Sequence, residues 1–224
     1  MTRPYTAILF DLDGTISDSA PGILESMTHT FRTVGVPVPD TATLMSFVGP
    51  PIMDTFRIAM GMDEEQADHT LAVYREHYLS HGALDSAMFP DVDVVLRTLH
   101  EAGLPISTAT SKPETPATLI LDHYGLLPWI DVVTGASDDE VRSAKADVVE
   151  EALRRLAARG DDVSRPVLVG DRMHDVEGAQ VHGVPVVFAA WGYGAPEEAT
   201  GTVAQAATPL DLLPILLPDD RAPR

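Results

Sequence analysis

Asp11 and Asp13 stand two residues apart where the first apolar run of the chain stops, in Phe10-Asp11-Leu12-Asp13-Gly14-Thr15. The residues before them, Tyr5 to Phe10, are aromatic, β-branched and aliphatic, the composition of a short buried strand. Side chains two apart on extended backbone project from one side, so the carboxylates crowd each other at the strand's end. Such a pair needs a cation, a proton, or a phosphate with its metal. Gly14 lets the chain turn there without a Cβ penalty, and Thr15 can bond local backbone. By itself the pair has a second meaning, an acidic turn that caps the next helix.

Two later apolar runs end in a similar way. One leads into Thr108-Ala109-Thr110-Ser111-Lys112, the other into Gly170-Asp171-Arg172-Met173-His174-Asp175. Lys145 opens a helical stretch, where a cation opposes the helix dipole unless an anion lies close. Alone, Thr110 is a strand end and Lys145 a solvated helix residue. Four carboxylates, a hydroxyl cluster and a lysine converging on one crevice are a far stronger signal than any one of these segments. A phosphomonoester dianion near Asp11, Asp13, Asp171 and Asp175 would be expelled without a divalent cation, and oxygen ligands with no His or Cys favour a hard ion such as Mg²⁺.

The elements that must position these residues follow from periodicity. After the first strand come about seventy residues of helix: one to about Val34 with apolar Ile23, Met27, Phe31 and Val34 on one face, then Thr41 to Phe47, Ile52 to Met60 and Asp63 to Leu79. From Phe89-Pro90 helix and strand alternate. Helices are expected at Asp91 to Ala102, Pro113 to Tyr124, Ala144 to Arg159 and Asp175 to His182, with strands at Leu104 to Ala109, Asp131 to Thr134, Pro166 to Val169 and Val184 to Phe188. A weaker strand and helix follow Gly201, and Pro218 to Arg224 reads as a frayed tail. Strands separated by such helices pair in parallel through right-handed crossovers, which predicts an α/β, doubly wound, Rossmann-like core with an all-helical insertion after the first strand. The expected division is 1–16 with 88–224 as catalytic core and 17–87 as helical cap. In such sheets the ligand lies beyond the carboxyl ends of the strands, where the polar residues above converge.

Composition excludes several classes. With 15 basic and 34 acidic residues the formal charge is −19, which repels nucleic acid polymers and anionic membranes. There is no cysteine, hence no disulfide or thiolate chemistry, in keeping with a reducing compartment. No signal-peptide core follows Met1 and no apolar run approaches a membrane span, so the expected location is cytoplasmic, as monomer or homodimer. Gly192-Tyr193-Gly194 lacks a third glycine for a dinucleotide site. His77 and His81 have metal-ligand spacing without an evident third ligand, and the Met and Tyr residues of the insertion read as its core. Lys112 and Arg142 are either further cations facing a substrate or surface charge.

The chain resembles the haloacid dehalogenase-like hydrolase superfamily, in its phosphoglycolate phosphatase-like and 5′-nucleotidase-like branch with a helical cap. Four motifs carry the resemblance, in order: Asp11-Leu12-Asp13-Gly14-Thr15, Thr110, Lys145, and Gly170-Asp171 with Asp175. Val48-Gly49-Pro50-Pro51 and Trp191-Gly192-Tyr193-Gly194 add to it; Ser111 stands where asparagine is frequent and Ala146 where many relatives have proline. The resemblance implies a phosphatase acting on a small phosphorylated metabolite such as phosphoglycolate. It makes Asp11 the nucleophile that becomes an aspartyl-phosphate, and Asp13 the general acid and base. Thr110, Ser111 and Lys145 would bind the phosphoryl group. Asp11, Asp171, Asp175 and the Asp13 main-chain carbonyl would hold Mg²⁺. A 5′-nucleotidase, a phosphomutase or phosphotransferase on the same scaffold, and an idle regulatory binding module are the alternatives; Asp13 argues against a dehalogenase, since halide departure needs no general acid. Val48-Gly49-Pro50-Pro51 is the expected cap loop at the crevice, with Gly14, Pro21, Gly82 and Pro90 flanking a paired hinge.

Overall fold

The computed structural model describes residues 3–139 and 141–217, so the expected tail, Pro218 to Arg224, lies outside the described residues. Strand β1 (Ala7–Phe10) is followed by a short β2 (Ser17–Asp18), and helices fill the stretch up to β3 (Ala87–Met88). Further strands are β4 (Ile106–Thr108), β5 (Thr110–Pro113), β6 (Gly135–Ala136), β7 (Pro166–Gly170), β8 (Val186–Ala189) and β9 (Ala204–Ala206). The main sheet runs β4-β1-β7-β8-β9 with every neighbour parallel. β1 lies inside the sheet, between β4 and β7, and is fully apolar because both faces are covered; Ile8 and Phe10 join one core and Ala7 and Leu9 the other.

The helices are α1 (Ala20–Thr33), α2 (Thr41–Ser46), α3 (Ile52–Asp54), α4 (Glu64–His77), α5 (Val92–Glu101), α6 (Glu114–His123), α7 (Lys145–Arg159), α8 (Met173–Gln180) and α9 (Leu212–Leu216). The insertion α1 to α4 has its own core around Phe31, Phe56 and Tyr74. α3 and α4 each continue into a π-helical turn, Thr55–Ala59 and Tyr78–Gly82, where helix was expected to run on to Met60 and Leu79. At its root β2 pairs antiparallel with β3, Ser17 opposite Met88, so both connections to the insertion are tied together. Gly82 packs against Gly22 at that root, its missing Cβ leaving room for the Ser26 hydroxyl.

Two expectations need correction. The strand Asp131 to Thr134 does not form as such: Val132 only bridges to Ser107, and the strand pairing is β5 with β6, which begins directly after it at Gly135 and carries a register shift. Side chains take over part of its ladder, the Asp131 carboxylate accepting from Ile106 N at 2.9 Å and the Thr108 hydroxyl bonding the Thr134 backbone at 2.8 Å. α8 begins at Met173 rather than Asp175 because the Asp175 carboxylate accepts from Arg172 N at 2.9 Å and caps the turn before it. Among the described residues no helix is long and apolar enough to cross a membrane.

Candidate active site

The carboxyl ends of β1, β4 and β7 open onto one crevice beneath the helical insertion. Asp11 follows β1 directly, its N–H donating to Val169 O of β7 at 2.9 Å, which carries the strand's regularity one residue beyond its last ladder pair. Asp171 follows β7, and Asp175 lies one helical turn further, in α8. One ligand oxygen from each of Asp11, Asp171 and Asp175 lies within 4.8 Å of the other two, and all three residues are buried. Lys145, first residue of α7, reaches in from the opposite side: its Nζ stands 2.7 Å from Asp11 Oδ1, 2.6 Å from Asp175 Oδ1 and 2.8 Å from Ala109 O. The cation at a helix N-terminus that looked misplaced in the sequence is held by two carboxylates.

The electrostatics of the cluster are those of a cation site. Burial pushes the Asp11 carboxyl up to about 6, with Lys145 opposing and Asp175 adding to the rise. Burial also raises Asp171 well above the carboxylate range, and Asp175 and Asp11 push it the same way. Burial works against the Lys145 ammonium, but Asp11 and Asp175 outweigh it and hold the lysine charged. With all three carboxylates ionised, as a bound cation would keep them, one ammonium leaves two negative charges, the charge of one divalent ion. Asp175 Oδ1 lies 2.6 Å from the Lys145 ammonium, as Asp11 Oδ1 does at 2.7 Å. An oxygen-only set of three buried carboxylates fits Mg²⁺.

Asp13 sits apart from this cluster. Its carboxylate accepts from the Ser19 hydroxyl at 2.6 Å and pairs with Lys112 Nζ at 3.0 Å, so only its main-chain carbonyl is left to the metal role expected for it. Lys112 also donates to Tyr78 Oη at 2.8 Å, joining the core to the helical insertion, and is as buried as Asp13 itself. Of the two cations left undecided by sequence, Lys112 therefore faces the crevice, whereas Arg142 bonds Glu114 at 2.6 Å and the Gly135 carbonyl, away from it. Thr110 is buried at the start of β5, next to the Ala109 carbonyl that Lys145 grips, and its hydroxyl accepts from Lys112 N at 3.2 Å. Ser111 Oγ is buried without any hydrogen-bond partner.

Several residues that complete the site were not singled out as such by sequence. Tyr193 N donates to Asp171 Oδ2 at 2.7 Å, and Thr15 Oγ1 to Asp171 Oδ1 at 3.2 Å. The Tyr193 hydroxyl donates to Asp18 Oδ1 at 2.8 Å and accepts from Ala20 N at 2.9 Å, tying this wall to the root of the insertion. Gly192 and Gly194 are glycine because the chain presses on Asp171: a Cβ would stand 2.4 Å from Asp171 Cβ at the first and 1.9 Å from Asp171 O at the second. The signal was Trp191-Gly192-Tyr193-Gly194, which forms a wall rather than a nucleotide loop. Arg172 donates to Val48 O and pairs with Glu198 at 3.1 Å, which puts Val48-Gly49-Pro50-Pro51 at the crevice as expected. His77 and His81 stack with His29 on the outside of the insertion, and Asp11, Asp171 and Asp175 form the metal-competent group among the described residues.

Residues 8–189 match the model of the haloacid dehalogenase-like hydrolase family. The chain is 40% identical over 205 residues to a protein named tyrosine-protein kinase PtkA from Mycobacterium tuberculosis, covering 90% of this chain and 69% of that one. It is 31% identical to a plasmid-encoded phosphoglycolate phosphatase of Cupriavidus necator, over 97% of this chain and 95% of the relative. A crystal structure of a predicted phosphatase from Clostridium acetobutylicum superposes with a TM-score of 0.85 at 29% identity, over 94% of this chain and 98% of the other. The motifs, the sheet order and these relatives agree, and the chain belongs to the haloacid dehalogenase-like hydrolase family.

Proposed function

We propose that this phosphoric monoester hydrolase is a Mg²⁺-dependent phosphatase of a small phosphomonoester, working through an aspartyl-phosphate. The observation that carries the reading is the separation of two carboxylates two residues apart: Asp11 within a three-carboxylate, one-lysine cluster, and Asp13 held outside it by Lys112 and Ser19. In the first step an Asp11 oxygen forms a bond to phosphorus as the bond to the leaving oxygen breaks, and Asp13 supplies the proton that oxygen takes. In the second, Asp13 takes a proton from the water that cleaves the acyl phosphate. Ester and water thus become alcohol and inorganic phosphate. Lys145, kept charged by its carboxylate neighbours, and Thr110 donate to the phosphoryl oxygens, with the unpaired Ser111 hydroxyl beside them. Asp11, Asp171, Asp175 and the Asp13 carbonyl hold the metal, which when bound neutralises charge so that a dianion can approach.

Residues 17–87 act as a cap over a core of 1–16 and 88–224, hinged where β2 and β3 pair. Water must be kept from the first step and admitted to the second, which a fixed lid cannot do. The cytoplasm is the proposed location, on the strength of a cysteine-free, strongly acidic composition.

A phosphotransferase is the second reading, favoured by the 40% identity to a protein named as a tyrosine kinase; the aspartyl-phosphate would then pass to an acceptor other than water. Phosphate release from phosphoglycolate, sugar phosphates and nucleoside 5′-monophosphates, with Mg²⁺ and after chelation, tests both. Metal-dependent free phosphate supports hydrolysis, and transfer without free phosphate supports the second reading. Full activity in chelator rejects the metal role.

A further inference from the structure

A cavity of about 300 Å³ opens from the Asp13 side of the site, between β5 and the helical insertion. Its floor is Asp13, Ser111 and Lys112, where the leaving oxygen must lie if Asp13 protonates it. Its volume is at the low end of small-molecule sites. Beyond the floor the walls are apolar: Met27, Phe47, Ile52 and Leu79, together with Tyr74 and Tyr78, whose rings stack at 5.4 Å and 8°. Tyr74 and Tyr78 are thus both core of the insertion and wall of the cavity, a double use that the sequence reading did not assign.

The charges lining the cavity are matched. Lys112 is paired with Asp13 at 3.0 Å, and Arg75 donates to the main-chain carbonyl of Asp138, whose carboxylate lines the same cavity and accepts from Thr115. Each of the two cations is already engaged, Lys112 by Asp13 and the Tyr78 hydroxyl and Arg75 by the Asp138 carbonyl, so neither is set aside for a second anionic group on the substrate. The chain as a whole, at −19, repels such a group further. A carboxylated ester would bury its carboxylate against Met27, Ile52 and Leu79, and a sugar phosphate would leave several hydroxyls unpaired there. A flat ring meets stacked tyrosines, Phe47 and a methionine thioether, all of which attract it.

We infer that the leaving group of the natural substrate is an uncharged aromatic moiety, seated in this cavity with its ester oxygen at Asp13. This rests on the phosphatase reading above and names its substrate class. The ring is a phenol or benzyl-type group, which offers a flat, uncharged face without the hydroxyls of a sugar.

The test compares kcat/KM of the full-length protein with Mg²⁺ for benzyl phosphate, ethyl phosphate and phosphoglycolate, three esters of alcohols, so that leaving-group chemistry stays similar while wall contacts differ. Benzyl phosphate is expected to exceed both others by about 10- to 100-fold, the range for burying one ring. Leu79→Arg, at a half-exposed wall position, should cut the ratio of benzyl phosphate to phosphoglycolate by at least about tenfold, and Ile52→Arg repeats the test from another wall. Phenyl phosphate against benzyl phosphate then tells whether the ring sits directly on the ester oxygen or one carbon away. Phosphoglycolate turned over as well as benzyl phosphate overturns the inference, and so does a benzyl preference untouched in both arginine variants. Acetyl phosphate, which needs no leaving-group cavity, separates the two levels: its hydrolysis without any aromatic preference defeats the substrate class alone, whereas no turnover of any ester or of acetyl phosphate defeats the phosphatase reading and this inference with it.

Discussion

Asp11 and Asp13 leave the same strand two residues apart and end in different surroundings. Every close polar partner of Asp11 belongs to the sheet and its following helices: Lys145 at the start of α7, Asp175 in α8 and the Val169 carbonyl of β7. Asp13 is shared, with Lys112 from the core and Ser19 from the segment entering the insertion, and Tyr78 of the insertion bonds the same lysine. The first environment is buried, doubly negative and built on strand ends that cannot move separately. The second is charge-balanced and depends on how the insertion sits. In the proposed mechanism, phosphoryl chemistry would rest on the first environment and the leaving group would be met by the second.

The sharpest way to break this division is at Asp11. Asp11→Asn should lower kcat by about 10⁴-fold or more in a phosphate-release assay, because an amide cannot attack phosphorus, while thermal stability is kept or increased. Stability should not fall because the substitution removes a charge whose burial is unfavourable without metal. Appreciable turnover in a preparation free of contaminating enzyme would remove Asp11 from its proposed role.

Metal should act on the same cluster with a defined pH dependence. The Asp11 carboxyl, at about 6, lies above its ordinary 3.8, so without metal the folded state favours the protonated form. That contribution is complete below about pH 4 and is lost as pH rises through about 6. Mg²⁺ competes with the proton, so its stabilisation should be negligible at pH 4 and grow as pH rises through about 6, with the raised Asp171 carboxyl extending the rise further. At a hundredfold excess over Kd it is worth about 2.7 kcal/mol, roughly 5–10 °C for a chain of this size. Asp175→Ala should remove most of that increment. A metal-induced shift equal at pH 4 and pH 7.5 would show that the ion binds elsewhere.

A smaller effect sharpens the rigid half. Gly194→Ala places a Cβ 1.9 Å from Asp171 O, a main-chain atom that cannot step aside. The cost should be about 1–3 kcal/mol by denaturant unfolding, with weaker Mg²⁺ binding because Tyr193 N is displaced from Asp171. Unchanged stability and metal affinity would mean that this wall yields easily.

The smallest effect concerns the movable half. Spin labels at Ile58 in the insertion and Val203 in the core, both well exposed, should give a distance distribution that shortens or narrows with Mg²⁺ and beryllofluoride. An unchanged distribution, with ligand binding confirmed by calorimetry, would make the insertion a fixed wall.

What could be read without coordinates follows the same boundary. Apolar runs ending in charge identified β1, β4 and β7 and, beyond them, Asp11, Thr110, Asp171 and Asp175, because a strand buried on both faces has a local signature and its polar end is the next residue. The helical character of residues between Ser17 and Ala87 was equally legible from spacing. Lys145 was legible only jointly with the acids, as a cation set against the helix dipole, since a lysine opening a helix is ordinary until its carboxylate partners are known. β6 begins only at Gly135, just past the expected strand, because side chains of Asp131 and Thr108 take part of the ladder bonding there, which residue pattern does not express.

The sequence by itself determined the alternation of elements, the crevice at the strand ends and the set of acids that gather there, since these follow from periodicity and from where burial must stop. Only the tertiary structure decided that Lys112 faces Asp13 while Arg142 does not, that Tyr193 and two glycines form the wall behind Asp171, and that Tyr74 and Tyr78 line a cavity as well as a core. The reason is physical: each of these roles is a contact between distant segments, such as Lys112 with Tyr78, 34 residues apart, whose existence depends on how the helical insertion docks on the sheet rather than on the preferences of either segment.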